Sequence, residues 1–195
     1  MTDTLADRRR LLIATSAVGA AATAGVAVPL VASLTPSERA RAAGAPVEVD
    51  IGKLAPGEMM TVEWRGKPVW ILHRTEAMLA SLEGNEAELG DPASAHPMQP
   101  AYAQNRYRAI NPRYLVAVGI CTHLGCSPSE KFGTGAASGL GADWPGGFLC
   151  PCHGSTFDLA GRVYLHKPAP DNLEVPPHKY LSDTGLIIGA DDAAA

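Results

Sequence analysis

The sequence is poor in charge and has no excess of basic residues. It contains 16 Lys and Arg against 20 Asp and Glu, which gives a formal net charge of −4 at pH 7. Proteins that bind nucleic acid do so with a basic surface, so this charge balance argues against that class of function. Charged residues make up 18% and hydrophobic residues 46% of the 195 residues. These values fit one globular domain that carries one apolar span.

Cysteine is scarce as well: all four cysteines lie in two short boxes, which also hold two of the six histidines. The first box is residues 121–126, with the sequence CTHLGC, and the second box is residues 150–155, with the sequence CPCHGS. Two thiolates and two neutral imidazoles can bind a metal, and four-coordinate zinc accepts this ligand set. One further cysteine per box then has no metal to bind, and such a pair in an oxidising compartment favours a disulfide. Four cysteines also allow a plain two-disulfide framework, with three possible pairings.

Residues 11–34 contain no charged side chain at all. At about 1.5 Å per residue a helix over this run is ~36 Å long, enough to cross a hydrocarbon core of about 30 Å. Residues 1–10 include three consecutive arginines at 8–10, which predict a cytoplasmic N-terminus. These arginines are also similar to a twin-arginine export signal. We predict a retained transmembrane anchor; the alternative is a signal peptide cleaved near the small residues 43–45.

Residues 35–46 follow the apolar run and are rich in small residues, with a proline near each end. This composition makes a poor core and a good tether. We therefore predict a flexible linker over residues 35–46 and a soluble domain over residues 47–195.

The soluble domain shows many short strand patterns. They lie at residues 47–51, 60–64, 68–73, 114–120, 156–158, 161–164, 174–175 and 185–188. Residues 60–73 are typical of a hairpin, and the strand over 114–120 leads directly into the first box. Trp64 and Trp70 are predicted core residues, and His73 is a predicted structural residue. Short strands joined by Gly and Pro turns predict an all-β fold, a small antiparallel sandwich or barrel.

Three segments lack strand patterns. Residues 76–89 carry Met78, Leu79, Leu82 and Leu89 at spacings that predict a short amphipathic helix. Residues 91–107 contain three prolines and predict a surface excursion in which His96 is solvated. Residues 127–148 contain six glycines and predict a long loop between the two boxes.

The two boxes resemble those of Rieske proteins, in whose [2Fe–2S] centres two histidines replace two cysteines on one iron and so raise the reduction potential. The resemblance continues beyond the boxes. Residues 167–173, with the sequence KPAPDNL, and the prolines at 176 and 177 are similar to the proline loop beside the cluster in the Rieske subunit of quinol-cytochrome c reductase, respiratory complex III. With the N-terminal anchor, the resemblance covers most of the chain.

This resemblance implies one 2Fe-2S cluster in a cluster-binding subdomain of a Rieske-type fold. It implies two cysteine ligands on one iron, two histidine ligands on the other and a disulfide between the remaining cysteines: Cys121 and Cys150, His123 and His153, and Cys126 with Cys152, respectively. The linker becomes the hinge on which the cluster domain moves. Residues around the ligands would tune or shield the cluster: Ser155, Phe157, Leu124, Pro168 and Pro170.

Four positions are implied to tune or shield the cluster or depart from the family pattern. Ser155 is implied to donate a hydroxyl hydrogen bond to a cluster sulfur, which favours the reduced state. Phe157 stands where many mitochondrial members carry a tyrosine that bonds a ligand sulfur, so a lower potential is expected here. Leu124 is expected to shield the cluster. Lys167 stands where the family often has glycine, which leaves the conformation of the proline loop open.

The function implied is that of the iron–sulfur subunit of quinol-cytochrome c reductase. The cluster accepts one electron from quinol at a site shared with cytochrome b, while His153 or His123 contacts the quinol and takes a proton, and the electron passes to a c-type cytochrome in support of proton translocation. The chain would be a single-pass protein of the bacterial inner membrane with its soluble domain on the periplasmic side, in a dimeric multi-subunit complex. One alternative is the Rieske subunit of another membrane-linked or periplasmic oxidoreductase, such as an arsenite oxidase-type enzyme. Another is an exported structural zinc or disulfide module.

Overall fold

The N-terminal unit is one long apolar helix. The computed structural model describes residues 2–192 and divides the chain into two compact units, residues 1–42 and 43–195. Helix α1, Thr2–Ala32, is 31 residues long, and an 18-residue window within Thr4–Ala32 has a mean hydropathy of 1.9. This segment is long and apolar enough to cross a membrane, although an N-terminal signal sequence meets the same criteria. The helix starts before the predicted span of residues 11–34, because the charged turns that precede the apolar run are helical too.

Two threonine side chains within α1 are satisfied inside the helix. The Thr15 hydroxyl donates to the Leu11 carbonyl at 2.9 Å, and the Thr23 hydroxyl donates to the Gly19 carbonyl at 2.8 Å. An unpaired donor is costly in hydrocarbon, where no water is available. These two threonine hydroxyls are therefore compatible with a lipid environment.

The segment predicted as a tether contains a short helix. Helix α2 spans Glu38–Ala43. Ser37 starts it as an N-cap, with its hydroxyl oxygen accepting from the Ala40 N–H at 3.2 Å, and Glu38 pairs with Arg41 at 3.0 Å. The small residues of this segment do not prevent a helical turn, since alanine is the best helix former.

The second unit is built from nine short strands. In chain order they are β1 Val47–Asp50, β2 Met59–Trp64, β3 Lys67–His73, β4 Tyr114–Val118, β5 Ser129–Lys131, β6 Gly147–Leu149, β7 Thr156–Phe157, β8 His178–Tyr180 and β9 Gly185–Ile188. They form three three-stranded sheets, ordered β1-β9-β8, β2-β3-β4 and β5-β6-β7. Every pairing in the described residues is antiparallel, so the predicted all-β antiparallel class is confirmed.

The hairpin β2–β3 turns at Arg65 and Gly66. Both residues are left-handed, with φ of 53° and 71°, which is the geometry of a two-residue type I′ turn. Trp64 is paired with Lys67 at the end of the ladder. The predicted hairpin is therefore confirmed, and its right-handed twist matches that of the strands.

Strand β3 is buried on both faces, which explains its continuous apolar sequence. Val69 and Ile71 pack into one core with β1, β4 and β9, while Trp70 and Leu72 pack into a second core. That second core also contains both buried thiols of the boxes. Strand β3 thus lies between the sheet β1-β9-β8 and the sheet β5-β6-β7.

The aromatic and histidine predictions for this region hold. Trp64 and Trp70 are each 4% exposed, so their assignment to the core is confirmed. His73 lies with Nδ1 2.7 Å from the Leu54 carbonyl oxygen and stacks on Tyr114, which confirms a structural role.

The predicted helix over residues 76–89 is wrong in extent. Helix α3 spans only Glu76–Ala80, and a single 3-10 turn follows at Glu86–Glu88. Gly84, between them, has a φ of +88°, which no right-handed helix can contain. Leu82 and Leu89 are buried all the same, so the apolar spacing reports burial rather than helix.

Three further predictions are corrected. Residues 91–107 are irregular apart from a 3-10 turn at Ala101–Ala103, and they are not simply a surface excursion, because Asp91 and Ser94 are buried. Residues 127–148 are not one loop, since they contain β5, a 3-10 turn at Gly135–Ser138 and the start of β6. Residues 161–164 form only isolated bridges, and residues 174–175 form no strand.

Gly119 tests how tightly the strand entering the first box packs on β3. A Cβ at this position would lie 2.2 Å from Cε2 of Trp70, whose ring is held by stacking on Phe148 at 4.9 Å. We expect Gly119→Ala to cost about 1–3 kcal/mol and to lower the melting temperature by ~3–10 °C. The control is Gly133→Ala, where no atom lies within 4 Å. Equal melting temperatures for the two variants would contradict this packing.

Candidate metal centre

The two boxes are loops carried by strands. The first box follows β4 after two residues, and the second box begins directly after β6 and ends directly before β7. The strands that carry the two loops, β4 and β6, belong to different sheets but pack into the same apolar core. This placement brings together residues that lie 24 to 32 positions apart in the sequence.

The two loops have the same backbone hydrogen bonds. In the first, the Cys121 N–H donates to the Cys126 carbonyl at 2.7 Å and the Gly125 N–H donates to the Cys121 carbonyl at 3.0 Å. In the second, the Cys150 N–H donates to the Ser155 carbonyl at 2.7 Å and the Gly154 N–H donates to the Cys150 carbonyl at 3.0 Å. Each loop turns back through a left-handed glycine, with φ of 82° and 75°.

This shared loop conformation places one thiol of each box in the interior of the domain and the imidazoles towards its surface. Cys121 and Cys150 are free thiols and each is 2% exposed. His123 is half-buried and His153 is exposed. The two imidazole rings lie 4.8 Å apart between centroids and are nearly perpendicular, at 85°. The site thus has a buried thiol end and a solvent-facing imidazole end.

A disulfide connects the two loops. It joins Cys126 to Cys152 across a sequence separation of 26, with Cα atoms 6.6 Å apart. This is the pair that the family resemblance implies. The bridge lies beside the thiols, because the Cys150 sulfur is within 4.8 Å of both disulfide sulfurs.

The donor arrangement does not fit a single zinc ion. Ligand atoms around a tetrahedral zinc lie about 3.8 Å apart. Within residues 2–192, the side chains placed so that they could share one metal ion are Cys126, Cys150 and Cys152, whose sulfurs lie within 4.8 Å of one another. This group contains neither histidine, and two of its three sulfurs form the disulfide. Two separate ends, one of thiols and one of imidazoles, fit a centre with two irons instead.

Ser155 connects the thiol end to the proline loop. The side chain is fully buried, and its oxygen accepts from the Ala169 N–H at 3.0 Å. Burial raises the pKa of the Cys121 thiol, while a hydrogen bond with the Ser155 hydroxyl acts in the opposite direction. A hydroxyl that stabilises negative sulfur in this way is suited to a ligand thiolate.

The proline loop, residues 167–173, contacts both boxes. Besides the Ser155 contact with the second box, its Asp171 carbonyl accepts from the Thr122 hydroxyl of the first box at 2.6 Å. Pro168 and Pro170 are exposed on its outer side. Lys167 does not take over the conformation of a glycine, since the left-handed residue is the preceding His166, with φ of 57°.

Three buried arginines, which the sequence analysis missed, support the loops from behind. Arg74, Arg108 and Arg162 are at most 2% exposed, and Arg162 pairs with buried Asp158 at 2.7 Å. Arg74 and Arg108 donate to backbone carbonyls of residues 159–161 and 173, with a shortest contact of 2.6 Å. Burial lowers the pKa of both side chains to about 10. The spacing of Asp158 and Arg162 is the only signal for this network in the sequence.

The remaining predicted residues lie around the loops. Leu124 is at the tip of the first box and is 71% exposed. Phe157 is fully buried and belongs to the same core as Cys121 and Cys150. His96 is exposed, as expected of a solvated residue, but it also pairs with Asp171 at 2.6 Å, which the sequence analysis did not foresee.

Comparisons with known proteins give the family of the chain. Residues 47–177 match the family model of the Rieske [2Fe-2S] domain, and residues 2–37 match that of the ubiquitinol-cytochrome C reductase Fe-S subunit TAT signal. The chain is 58% identical over 189 residues to the ubiquinol-cytochrome c reductase iron-sulfur subunit of Allochromatium vinosum, covering 96% of this chain and 91% of that protein. It is 42% identical to the subunit of the same name from Blastochloris viridis, covering 96% of both chains. A solved chain of a hyperthermophilic respiratory complex III shows 27% identity and a TM-score of 0.47, covering 89% of this chain and 97% of that chain.

The chain therefore belongs to the Rieske [2Fe-2S] family, in the group of ubiquinol-cytochrome c reductase iron-sulfur subunits. The predicted family, the Rieske-type fold and the 2Fe-2S cofactor are confirmed. The twin-arginine signal predicted from the N-terminal arginines is confirmed as well.

Ser155→Ala tests the link between the proline loop and the thiol end. The substitution leaves the buried Ala169 N–H without its acceptor, which costs about 1–3 kcal/mol. It also removes the hydroxyl that stabilises negative sulfur, so the reduction potential should fall. Thermal melting and redox titration measure the two effects. Ser127→Ala, at an exposed position after the first box, is the control and should leave both unchanged.

Phe157→Tyr tests tuning from the core side. A tyrosine hydroxyl that donates to a ligand sulfur favours the reduced cluster, and one hydrogen bond of about 0.5–1.5 kcal/mol corresponds to a rise of roughly 20–65 mV for one electron. Redox titration of the full chain measures it, with Phe132→Tyr, whose ring packs edge-on against Phe148, as the control. An unchanged potential in the Phe157 variant would remove this position from the tuning set.

Proposed function

We propose that this chain is the electron-transferring iron–sulfur subunit of a quinol-cytochrome c reductase. Cys121 and Cys150 would hold one iron of the cluster, and His123 and His153 would hold the other. The electron would come from quinol at a site shared with cytochrome b and pass to a c-type cytochrome. A dimeric multi-subunit complex is part of this proposal.

One observation carries the proposal: two imidazoles at the solvent-facing end of a site whose thiols are buried. When bound, a Rieske cluster supplies a one-electron carrier of raised potential, because neutral ligands replace two anionic ones. The imidazoles of this chain would supply what an iron–sulfur centre with four thiolates lacks, a ring nitrogen that can exchange a proton with a substrate.

The exposure of the two histidines supports a division of roles. His153 is exposed while His123 is half-buried, so His153 is the better placed to donate to or accept from a quinol oxygen. Leu124, next to His123 in the first box, and Pro151, in the second box with His153, are also exposed and give the two loops apolar surface. A quinol ring needs such apolar contacts together with one polar group that fixes its orientation.

The N-terminal unit supports an anchored subunit. A twin-arginine region followed by one helix that can span a membrane is suited to a domain that folds and receives its cofactor before export. We propose that residues 11–34 remain as a single-pass anchor in the inner membrane and that the cluster domain lies on the periplasmic side. Residues 35–46 would then be the hinge.

The cluster and its proton link can be tested on the membrane-extracted chain. We expect a coloured protein whose potential falls as pH rises in the mildly alkaline range, because oxidation releases a proton from a ligand imidazole. The expected control is His73→Gln, a histidine outside the site, which should keep the same pH dependence. A colourless protein, or a potential independent of pH, would overturn the proposal.

The partners need a separate experiment. Affinity purification of the full chain from native membranes should recover b-type and c-type haem together with it. Recovery without either haem would instead favour the Rieske subunit of another oxidoreductase, such as an arsenite oxidase-type enzyme. Intact mass of the same material shows whether the anchor is retained.

A further inference from the structure

An ion pair on the surface of the domain ends in a hydrogen bond next to the ligands. His96 Nδ1 lies 2.6 Å from Asp171 Oδ1, and Asp171 belongs to the proline loop. The backbone carbonyl of the same aspartate accepts from the Thr122 hydroxyl at 2.6 Å. Thr122 stands between Cys121 and His123 in the first box. One residue of the proline loop therefore connects an exposed histidine to the middle of a ligand loop.

The histidine is presented from a fixed support. Asp91 accepts from the Ala95 N–H at 2.8 Å and the His96 N–H at 3.0 Å, so the segment 91–96 is closed on itself. Buried Asn172 donates to the Asp91 carbonyl at 2.9 Å and accepts from the Val163 N–H at 2.9 Å. Asn172 itself belongs to the proline loop, so this bond joins the backbone around His96 to the loop directly beside Asp171, and the imidazole acts on Asp171 across this buried junction.

The charge state of His96 decides the strength of this contact. The charged groups that face the imidazole are Asp171 on the proline loop and Asp91 on its own segment, and both favour the protonated ring. The hydrogen bond to Asp171 is the main cause that raises the pKa of His96. A raised value in the folded protein means that the contact is strongest below the ordinary histidine value and weakens as pH rises through the raised one.

We infer that His96 is a proton-controlled positioning residue, which holds the proline loop on the Thr122 hydroxyl through Asp171 and so fixes the first ligand loop. When His96 is protonated, its ion pair with Asp171 holds the proline loop against the first box. When His96 is neutral, this contact is weaker and the loop is held less firmly; this pH-dependent contact is called the clamp below. Since the imidazole is 57% exposed, the effect is graded and sensitive to salt.

The first test measures the loop directly by hydrogen–deuterium exchange of the full, cluster-containing chain, followed on peptides that cover residues 165–173. After correction for intrinsic rates, exchange should be about 1.5- to 5-fold faster at about pH 8.5 than at about pH 5.5, which lie on either side of the ordinary histidine value. Raising the salt to about 1 M should reduce the difference. Equal exchange at both pH values would overturn the inference.

Matched variants separate the clamp from general effects of pH. His96→Asn keeps a donor where Nδ1 stands but cannot titrate, so its exchange should not depend on pH. His96→Ala and Asp171→Asn should exchange fast at both pH values. Lys179→Gln breaks another 2.6 Å surface ion pair, Lys179 with Asp192, and should keep the wild-type pH step. A pH step that survives in His96→Asn would show that another group is responsible.

The second test reads the cluster, and this reading alone rests on the proposed ligand set. The reduction potential of the wild type should fall in an additional step as pH rises through the His96 titration. This step should come at a lower pH than the step assigned to the ligand imidazoles. Both His96 variants should lack the additional step and retain the alkaline one. A reduction potential without the alkaline pH step, together with the expected pH dependence of exchange in the proline loop, would count against the proposed function. Exchange in the proline loop that does not depend on pH, together with a normal alkaline step in the potential, would count against the role of His96.

Discussion

The site depends on one constraint: two loops must hold their thiols inside the domain and their imidazoles outside it at the same time. Equivalent backbone bonds and a left-handed glycine in each loop give this orientation, and the bridge between Cys126 and Cys152 keeps the loops together. Closing a loop of 26 residues in the unfolded chain corresponds to roughly 3.5 kcal/mol in the chain-entropy account. The covalent link thus stabilises a region with little regular structure of its own.

The support behind the loops is polar rather than apolar. Arg74, Arg108 and Arg162 are buried with one close carboxylate partner, Asp158, and most of their other donors reach backbone carbonyls. Carbonyls in irregular segments have no strand partner, so buried guanidinium groups satisfy them and fix the turn after the second box. A loop-rich subdomain gains rigidity in this way without longer strands.

Local patterns in the sequence were sufficient for much of the fold and for the ligand boxes. Strong local signals, such as Arg65-Gly66 between two apolar runs or a cysteine and a histidine within one box, are short-range and can be recognised along the chain. The prediction of a helix over residues 76–89 was wrong because tertiary packing buries the leucines of this segment without helical geometry. The arginine network and the contact of His96 with Asp171 join residues up to 85 positions apart, and no local pattern encodes such partners.

The closeness of the Cys150 sulfur to both disulfide sulfurs gives the order of maturation a chemical meaning. A thiolate at contact distance can attack a neighbouring disulfide and exchange partners with it. With Cys150 as an iron ligand, as proposed, its sulfur would be withdrawn from exchange, and a chain that received its cluster in a reducing compartment would have one oxidisable pair left when it met an oxidant. Export in the folded state would therefore leave Cys126 and Cys152 as the two thiols that are free to form a disulfide with each other.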